Sequence, residues 1–188
     1  LYAEAEGDTR IVGHRHTYGW ANAQKVFFVI EFSKPFTAFE PIDEYNFYYR
    51  VHFDTVAGEQ IGVKVAISTV SVDGARQNFE AELAGVEFDA ARKSAYDKWN
   101  KEISKIRIEG ATAEQEEIFY TGMYHMYVAP SLLSDVDGKY RGADNEVYDN
   151  PGFDTYTTFS LWDTYRAKLP LMTITHPERM DDITNTMI

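Results

Sequence analysis

The sequence predicts an α+β fold in which the strands come first and the helices follow. Up to about residue 72, apolar and polar residues alternate, which is typical of half-buried strands. Beyond Asp73 and Gly74 the apolar residues recur with a period of about 3.6, which is typical of amphipathic helices. Because no helical segment separates the strands, we expect them to pair antiparallel as part of a β-sandwich.

Three segments of the first part carry a strand pattern. Residues 25–32 are apolar on both faces, which predicts a central strand that ends before Pro35. Residues 45–54 and 61–69 alternate between apolar and polar side chains, and residues 57–60 are predicted to join them as a hairpin. His14 and His16 are two positions apart, so they should share one face of a further strand.

The next segments read as helices. A pair of helices is predicted between residues 73 and 104, the second near 89–104, with a short strand at 106–109. Thr112 and Gln115 fit a capping box that starts a third helix, which Pro130 stops. Residues 131–156 are rich in Gly, Asp and Asn and predict a long loop.

Two prolines frame the end of the chain. A helix is predicted from about 158 to 169, with Pro170 breaking or kinking it. Pro177 suits the first turn of a last helix, with Met180, Ile183 and Met187 on one side. Because these few apolar-striped helices have little to bury against, we expect the chain to be a fragment whose helical part continues in a longer protein.

Composition excludes several classes of function. The net charge is −12 and no Lys/Arg-rich run is present, which argues against nucleic acid and anionic membrane surfaces as partners. There is no cysteine, so disulfides and thiol chemistry are excluded. No run of about 18 apolar residues occurs, so no membrane span is predicted. The aromatic content of 15% provides side chains that can meet polyhydroxyl ligands.

The segment Tyr156–Arg166 carries the most specific chemistry. It joins an aromatic platform (Trp162), a carboxylate (Asp163) and a guanidinium (Arg166) within a short stretch. A flat apolar ring suits the C–H face of a sugar, and charged groups suit its hydroxyls. The alternative is a buried tryptophan with Asp163 and Arg166 in a structural ion pair.

Other polar residues have simpler interpretations. Asp135 and Asp137 could bind calcium through their carboxylates, but the segment lacks the spacing of a full calcium loop, which favours an Asp-Gly turn. Binding of a metal by His14 and His16 would need further ligands, and none stands at suitable spacing, so ordinary packing contacts are favoured. His125 lies on an aromatic helix face and is interpreted as a core residue.

Several segments, in the same order along the chain, resemble glycoside hydrolase family 92. They cover nearly the whole sequence, and four separate motifs with the right spacing make the resemblance specific. The segments are Gly19–Trp20, Val26–Phe36, Val63–Asn78, Phe119–His125, Ala129–Pro130, Ser134–Gly138 and Tyr156–Arg166.

The resemblance implies a bacterial, calcium-dependent, inverting exo-α-mannosidase acting on mannose-containing glycans. It implies the later part of a β-sandwich at 1–72, a helical linker at 73–110 and the start of an (α/α)6 catalytic barrel at 111–188. Trp162 and Asp163 correspond to positions that line the −1 mannose pocket, and Arg166 could orient the carboxylate. Because the family's acid and base come from later barrel segments, no catalytic or metal-binding residue is assigned in this chain.

The resemblance also implies a periplasmic, cell-surface or secreted location, with calcium ligands and the targeting signal outside this chain. The exposed face of an incomplete barrel predicts self-association. The alternative function is a non-catalytic carbohydrate-binding β-sandwich module, which the high aromatic content also favours.

Overall fold

A computed structural model describes residues 1–19, 23–43, 45 and 48–188. It is a mixed α+β structure with antiparallel sheets and several helices, which confirms the predicted class. The chain divides into two compact units: residues 1–86 with 134–152, and residues 87–133 with 153–188. Trp20 and part of the predicted 45–54 strand lie outside the described residues.

The first unit is built on two antiparallel sheets. Among the described residues, six strands precede the first helix: β1 (Tyr2–Glu6), β2 (Arg10–Thr17), β3 (Gln24–Phe32), β4 (Ala38–Pro41), β5 (Tyr49–His52) and β6 (Val63–Ser68). One sheet has the order β1-β2-β3-β6, and β4 pairs with β5 in the other. The predicted central strand is therefore confirmed as β3, with a partner on each side.

The predicted hairpin between residues 45–54 and 61–69 is wrong. β5 pairs with β4, whereas β6 pairs with β3, so the two segments belong to different sheets. The turn itself exists, since the amide of Glu59 donates to the carbonyl of Val56. Alternation shows that the two faces of a strand differ, and it does not specify which strand is the partner.

The first unit also contains one helix and, further along the chain, one small hairpin that is described below. Helix α1 (Val72–Glu82) begins at Ser71, whose hydroxyl caps the amide of Gly74. It covers one face of the four-stranded sheet, where the buried core residues are Val12, Val29, Ala66, Ala75 and Phe79.

The second unit is helical. It contains α2 (Phe88–Ile103), α3 (Ala113–Tyr127), α4 (Leu161–Thr164), α5 (Lys168–Thr175) and α6 (Pro177–Met187). The capping box at Thr112 is confirmed, with both reciprocal bonds to Gln115 present. Residues 106–109 form no strand, so that prediction is wrong. Its core consists of Tyr156, Met172 and Ile183.

Three further predictions are corrected. The 158–169 helix is instead two pieces, and Pro170 lies in the first turn of α5 rather than at a helix end. Proline is tolerated there because first-turn amides have no partner within the helix. The 131–156 loop contains a hairpin, β7 (Tyr140–Arg141) with β8 (Val147–Tyr148), which belongs to the first unit. His125 is exposed rather than in the core.

Among the residues that the structure describes, no helix is both long and apolar enough to cross a membrane.

Candidate functional site

The residues singled out from the sequence lie on and just after the short helix α4. Trp162 is 73% exposed, and Asp163 and Arg166 are also exposed. Leu161 and Tyr165 add exposed apolar surface beside them. In this chain the indole is therefore exposed and not packed in a core.

The chain before α4 is firmly held. Residues Thr155 and Tyr156 are buried, at 1% and 7% exposure. The Leu133 amide donates to the Thr155 carbonyl at 2.8 Å, and the Thr157 amide donates to the Ser131 carbonyl at 2.8 Å. Two antiparallel stretches of backbone therefore fix the entry into α4.

The chain after α4 is held by a half-buried lysine. The Lys168 ammonium donates to the carbonyl of Ala129 at the end of α3, and lies 6.0 Å from the ring centre of Phe159. Burial lowers the pKa of Lys168 from its ordinary value. The segment that carries the exposed Trp162 and Asp163 is therefore anchored at both ends.

The predicted partnership between Asp163 and Arg166 is not formed. Within the described parts of the chain, no hydrogen bond or ion pair joins the two side chains. The Arg166 guanidinium lies over the Tyr165 ring instead, 5.6 Å from its centre. Asp163 is the single carboxylate in α4, so this surface can accept hydrogen bonds from hydroxyls but does not itself provide a pair of carboxyl groups.

Asp135, in contrast, is structural. It is 6% exposed, and its carboxylate accepts from the Ser68 hydroxyl at 2.6 Å and from the Asn78 amide at 2.8 Å. Burial raises its pKa, although those two hydrogen bonds oppose the shift. Sequence analysis missed this cluster because the partners are 67 and 57 positions away.

Residues close to Asp135 in the sequence also attach this segment to the rest of the first unit. Arg141 donates to the backbone carbonyls of Thr69 and Val70, at 2.7 and 2.9 Å. Asp137 pairs with Lys139 at 3.0 Å, and the Gly138 amide closes an Asp-Gly turn onto the Asp135 carbonyl. The 134–148 segment is thereby fastened to the end of β6 and the start of α1.

These carboxylates do not fit a calcium site. Calcium takes six to eight oxygen ligands, several of them from carboxylates. Both oxygens of Asp135 are already occupied, and Asp137 holds a lysine. In residues 1–19, 23–43, 45 and 48–188, no group of three or more metal-ligating side chains is close enough to hold an ion.

The second unit also contains a cleft of about 510 Å³. Tyr156, Met172 and Ile183 line it together with Trp99 and Tyr127, whereas Trp162, Asp163 and Arg166 do not. Its most buried polar group, His176, already contacts the Glu102 carboxylate at 2.8 Å and the Thr175 hydroxyl at 2.8 Å. The Glu102 and His176 side chains therefore satisfy each other, whereas the buried hydroxyl of Tyr127 has no hydrogen-bond partner within the described residues.

Comparison with family models identified one match. Residues 74–188 match the glycosyl hydrolase family 92 catalytic domain. The matched region includes Trp162, Asp163 and Arg166. It also includes Asp135 and its hydrogen-bond partner Asn78. Comparison with curated proteins gave no match.

Solved structures give a consistent result. The family GH92 α-mannosidase BT3965 from Bacteroides thetaiotaomicron is 36% identical, with a TM-score of 0.90 over 98% of this chain and 27% of that one. Its complex with mannoimidazole matches with the same identity and coverages and a TM-score of 0.87. The inverting mannosidase BT2199 from Bacteroides thetaiotaomicron VPI-5482 is 26% identical, with a TM-score of 0.81 over 95% of this chain and 26% of that one.

The chain thus spans about a quarter of the length of the solved structures it matches, at 26–27% coverage. The family-model match covers more than half of the 188 residues, and the fold agrees over nearly all of them. The chain belongs to glycosyl hydrolase family 92.

Proposed function

We propose that this chain is part of an inverting exo-α-mannosidase that removes terminal α-mannose from glycans. The observation that carries the proposal is the exposed Trp162 beside Asp163 on α4. The similarity to two mannosidases supports the substrate class, and the complex of one of them with mannoimidazole supports a mannose-like ligand.

In this proposal α4 contributes to the −1 mannose pocket. The Trp162 indole shapes the pocket and packs on the C–H face of the ring. The Asp163 carboxylate accepts hydrogen bonds from sugar hydroxyls, and bonds to a charged acceptor are among the stronger ones. Arg166, which lies over Tyr165 rather than on Asp163, binds a hydroxyl directly.

The proton-transfer groups of an inverting enzyme are two carboxyl groups roughly 6.5–9.5 Å apart on opposite sides of the scissile bond. The proposal assigns neither to this chain. It places residues 111–188 at the start of an (α/α)6 barrel, residues 73–110 in a linker and residues 1–72 in a β-sandwich. The parent protein would be periplasmic, cell-surface or secreted.

Calcium dependence is part of the proposal for the parent protein and rests on the family resemblance. The described carboxylates do not form a calcium site, so no residue of this chain is assigned to hold that ion. The role of this chain is to present Trp162 and Asp163 to the sugar.

Calorimetric titration of the chain with mannoimidazole, with and without calcium, tests the binding role. Asp163→Ala should weaken binding by about 10- to 100-fold, which corresponds to about 1.5–3 kcal/mol for a hydrogen bond to a charged group. Asp181→Ala is the matched control, because Asp181 is an exposed carboxylate on α6. Its affinity should equal that of the unsubstituted chain.

The outcomes separate the two functions. Mannose release by the chain at the rate of an intact family member would contradict the proposal that the acid and base lie elsewhere. Calcium-independent binding that survives Asp163→Ala would favour a carbohydrate-binding module in place of a catalytic pocket.

A further inference from the structure

We propose that the cleft of the helical unit, about 510 Å³ in volume, binds a small aromatic carboxylate. The cleft is lined by residues of α2, α5 and α6 and of the end of α3, all within the second unit. Sites that enclose small molecules have volumes of roughly 300–1,000 Å³, so the cleft has a suitable size. It does not include α4, and the proposal is independent of the mannosidase activity.

The floor of the cleft is apolar. Tyr156, Met172 and Ile183 line it, and the same three side chains form the buried core of the helical unit. Trp99 and Tyr127 add two aromatic rings to the lining. Because the floor belongs to a packed core, it keeps its shape, and a flat apolar ring can pack against it without ordering mobile side chains.

The rim of the cleft is positively charged. Lys98 and Lys101 are exposed, lie three positions apart on α2 and border the cleft. Within the described residues neither ammonium group forms an ion pair. The carboxylate in the lining, Glu102, is already held by Lys105 and His176, each at 2.8 Å. Two unpaired cations in a chain of net charge −12 favour a ligand that carries a negative charge.

The unpaired hydroxyl of Tyr127 lies in the same lining. Buried polar groups usually have a hydrogen-bond partner, because their lost bonds to water are otherwise not replaced. A carboxylate is a strong acceptor and would supply that partner. Side-chain rotation commonly accompanies binding, and here it would bring the covered hydroxyl to the ligand.

These features together select the class of ligand. An inorganic anion would meet the cations and leave the apolar floor uncovered. A neutral sugar would use neither ammonium group. A ring that carries one carboxylate covers the floor, and the flexible stems of Lys98 and Lys101 let their ammonium groups reach the charge.

Titration of the 188-residue chain with 1-naphthoate tests the proposal, followed by the indole N–H signals of its three tryptophans in NMR spectra. The Trp99 signal should shift and the Trp162 signal should stay in place, because only Trp99 lines the cleft among these two. We expect a dissociation constant on the order of 1 mM or below for a ligand of this size. 1-Naphthalenemethanol has the same ring without the charge and should bind about threefold more weakly or less tightly still.

The combined variant Lys98→Gln with Lys101→Gln should weaken binding of naphthoate about 3- to 10-fold and leave binding of the alcohol unchanged. Both lysines are exposed, so the helical unit should stay folded, which circular dichroism checks. Tyr127→Phe should weaken binding of naphthoate about 2- to 10-fold, because it removes one hydrogen-bond donor.

Lys93→Gln is the matched control, since Lys93 is an exposed lysine on α2 that does not line the cleft. It should leave the affinity for naphthoate unchanged. Three results would each overturn the proposal: no shift of the Trp99 signal, equal binding of the acid and the alcohol, or equal losses of affinity in Lys93→Gln and in the combined variant.

Discussion

Replacing Asp135 by alanine should strongly destabilise the first unit. The buried carboxylate accepts one hydrogen from the Ser68 hydroxyl and one from the Asn78 amide. The Ser68 oxygen already accepts from the amides of Val70 and Ser71, which hold the hydroxyl in place. Its proton is therefore donated to Asp135. The alanine variant would therefore leave two buried donors without acceptors.

The magnitude follows from those two donors. A buried donor left unpaired costs about 1–3 kcal/mol, so the pair costs about 2–6 kcal/mol. Removing the carboxylate also removes the cost of burying its charge, which the raised pKa of Asp135 reports. We therefore expect a net loss of about 2–4 kcal/mol, a large part of the stability of a domain this size.

Urea unfolding followed by circular dichroism measures the loss, and hydrogen exchange at the Val136 amide locates it. That amide donates to the side-chain oxygen of Asn78, so it should lose protection when Asn78 keeps only its bond to the Ile67 carbonyl. Asp137→Ala is the matched control, because Asp137 lies in the same turn but pairs with Lys139 at the surface. If both variants unfolded at the same urea concentration, the argument from unpaired donors would be refuted.

The pH dependence has a definite sign. The folded pKa of Asp135 lies above its ordinary value of 3.8 because of burial. Below 3.8 the group is protonated in both states and contributes no pH dependence. As the pH rises from 3.8 through the raised pKa, Asp135 ionises in the folded state at the cost of burying its charge, a cost that is absent from the unfolded state. The stability difference between the unsubstituted chain and Asp135→Ala should shrink over this window.

Four further outcomes are expected. Gly74→Ala should cost about 1–3 kcal/mol or more in urea unfolding, because a Cβ would lie 2.7 Å from the Ser68 oxygen and closer still to Asp135. Thr112→Ala should cost about 1 kcal/mol through loss of the helix cap, and an unchanged midpoint would contradict the capping role. Burial raises the pKa of Glu102, but its hydrogen bonds to Lys105 and His176 outweigh burial, so the net pKa is lowered. The stability that Glu102 contributes should therefore be lost as the pH falls through this lowered pKa, and Glu102→Gln should abolish the loss. The exposed apolar side chains of the helical unit should cause concentration-dependent association in sedimentation velocity, whereas a monomer without dye-binding surface would exclude it.

Features encoded by nearby residues could be predicted from the sequence. The capping box at Thr112 lies within four residues, and the 3.6-residue period of α2 is visible in its own segment. The central position of β3 follows from a segment apolar on both faces. In each case the physical cause lies within the segment whose structure it determines.

Features decided by distant neighbours could not be predicted. The alternating residues of β5 and β6 did not identify their separate partners. In β6 the apolar side chains of Val63, Val65 and Ile67 are exposed, whereas Ala66 and Ser68 on the other face are buried. A proline permits a helix start as readily as it forces an end, so Pro170 alone does not say which applies. Whether Trp162 is buried or exposed depends on what packs around α4, and its immediate sequence fits both outcomes.

The first unit is discontinuous along the chain, because residues 134–152 return to it after an excursion through residues 87–133. A single cut anywhere between 87 and 133 would separate Ser68 and Asn78 from Asp135, and Thr69 and Val70 from Arg141. Gene fusion or shuffling at one breakpoint therefore cannot exchange the sheet-bearing unit intact. The two units must be inherited together, or the returning hairpin must be grafted separately.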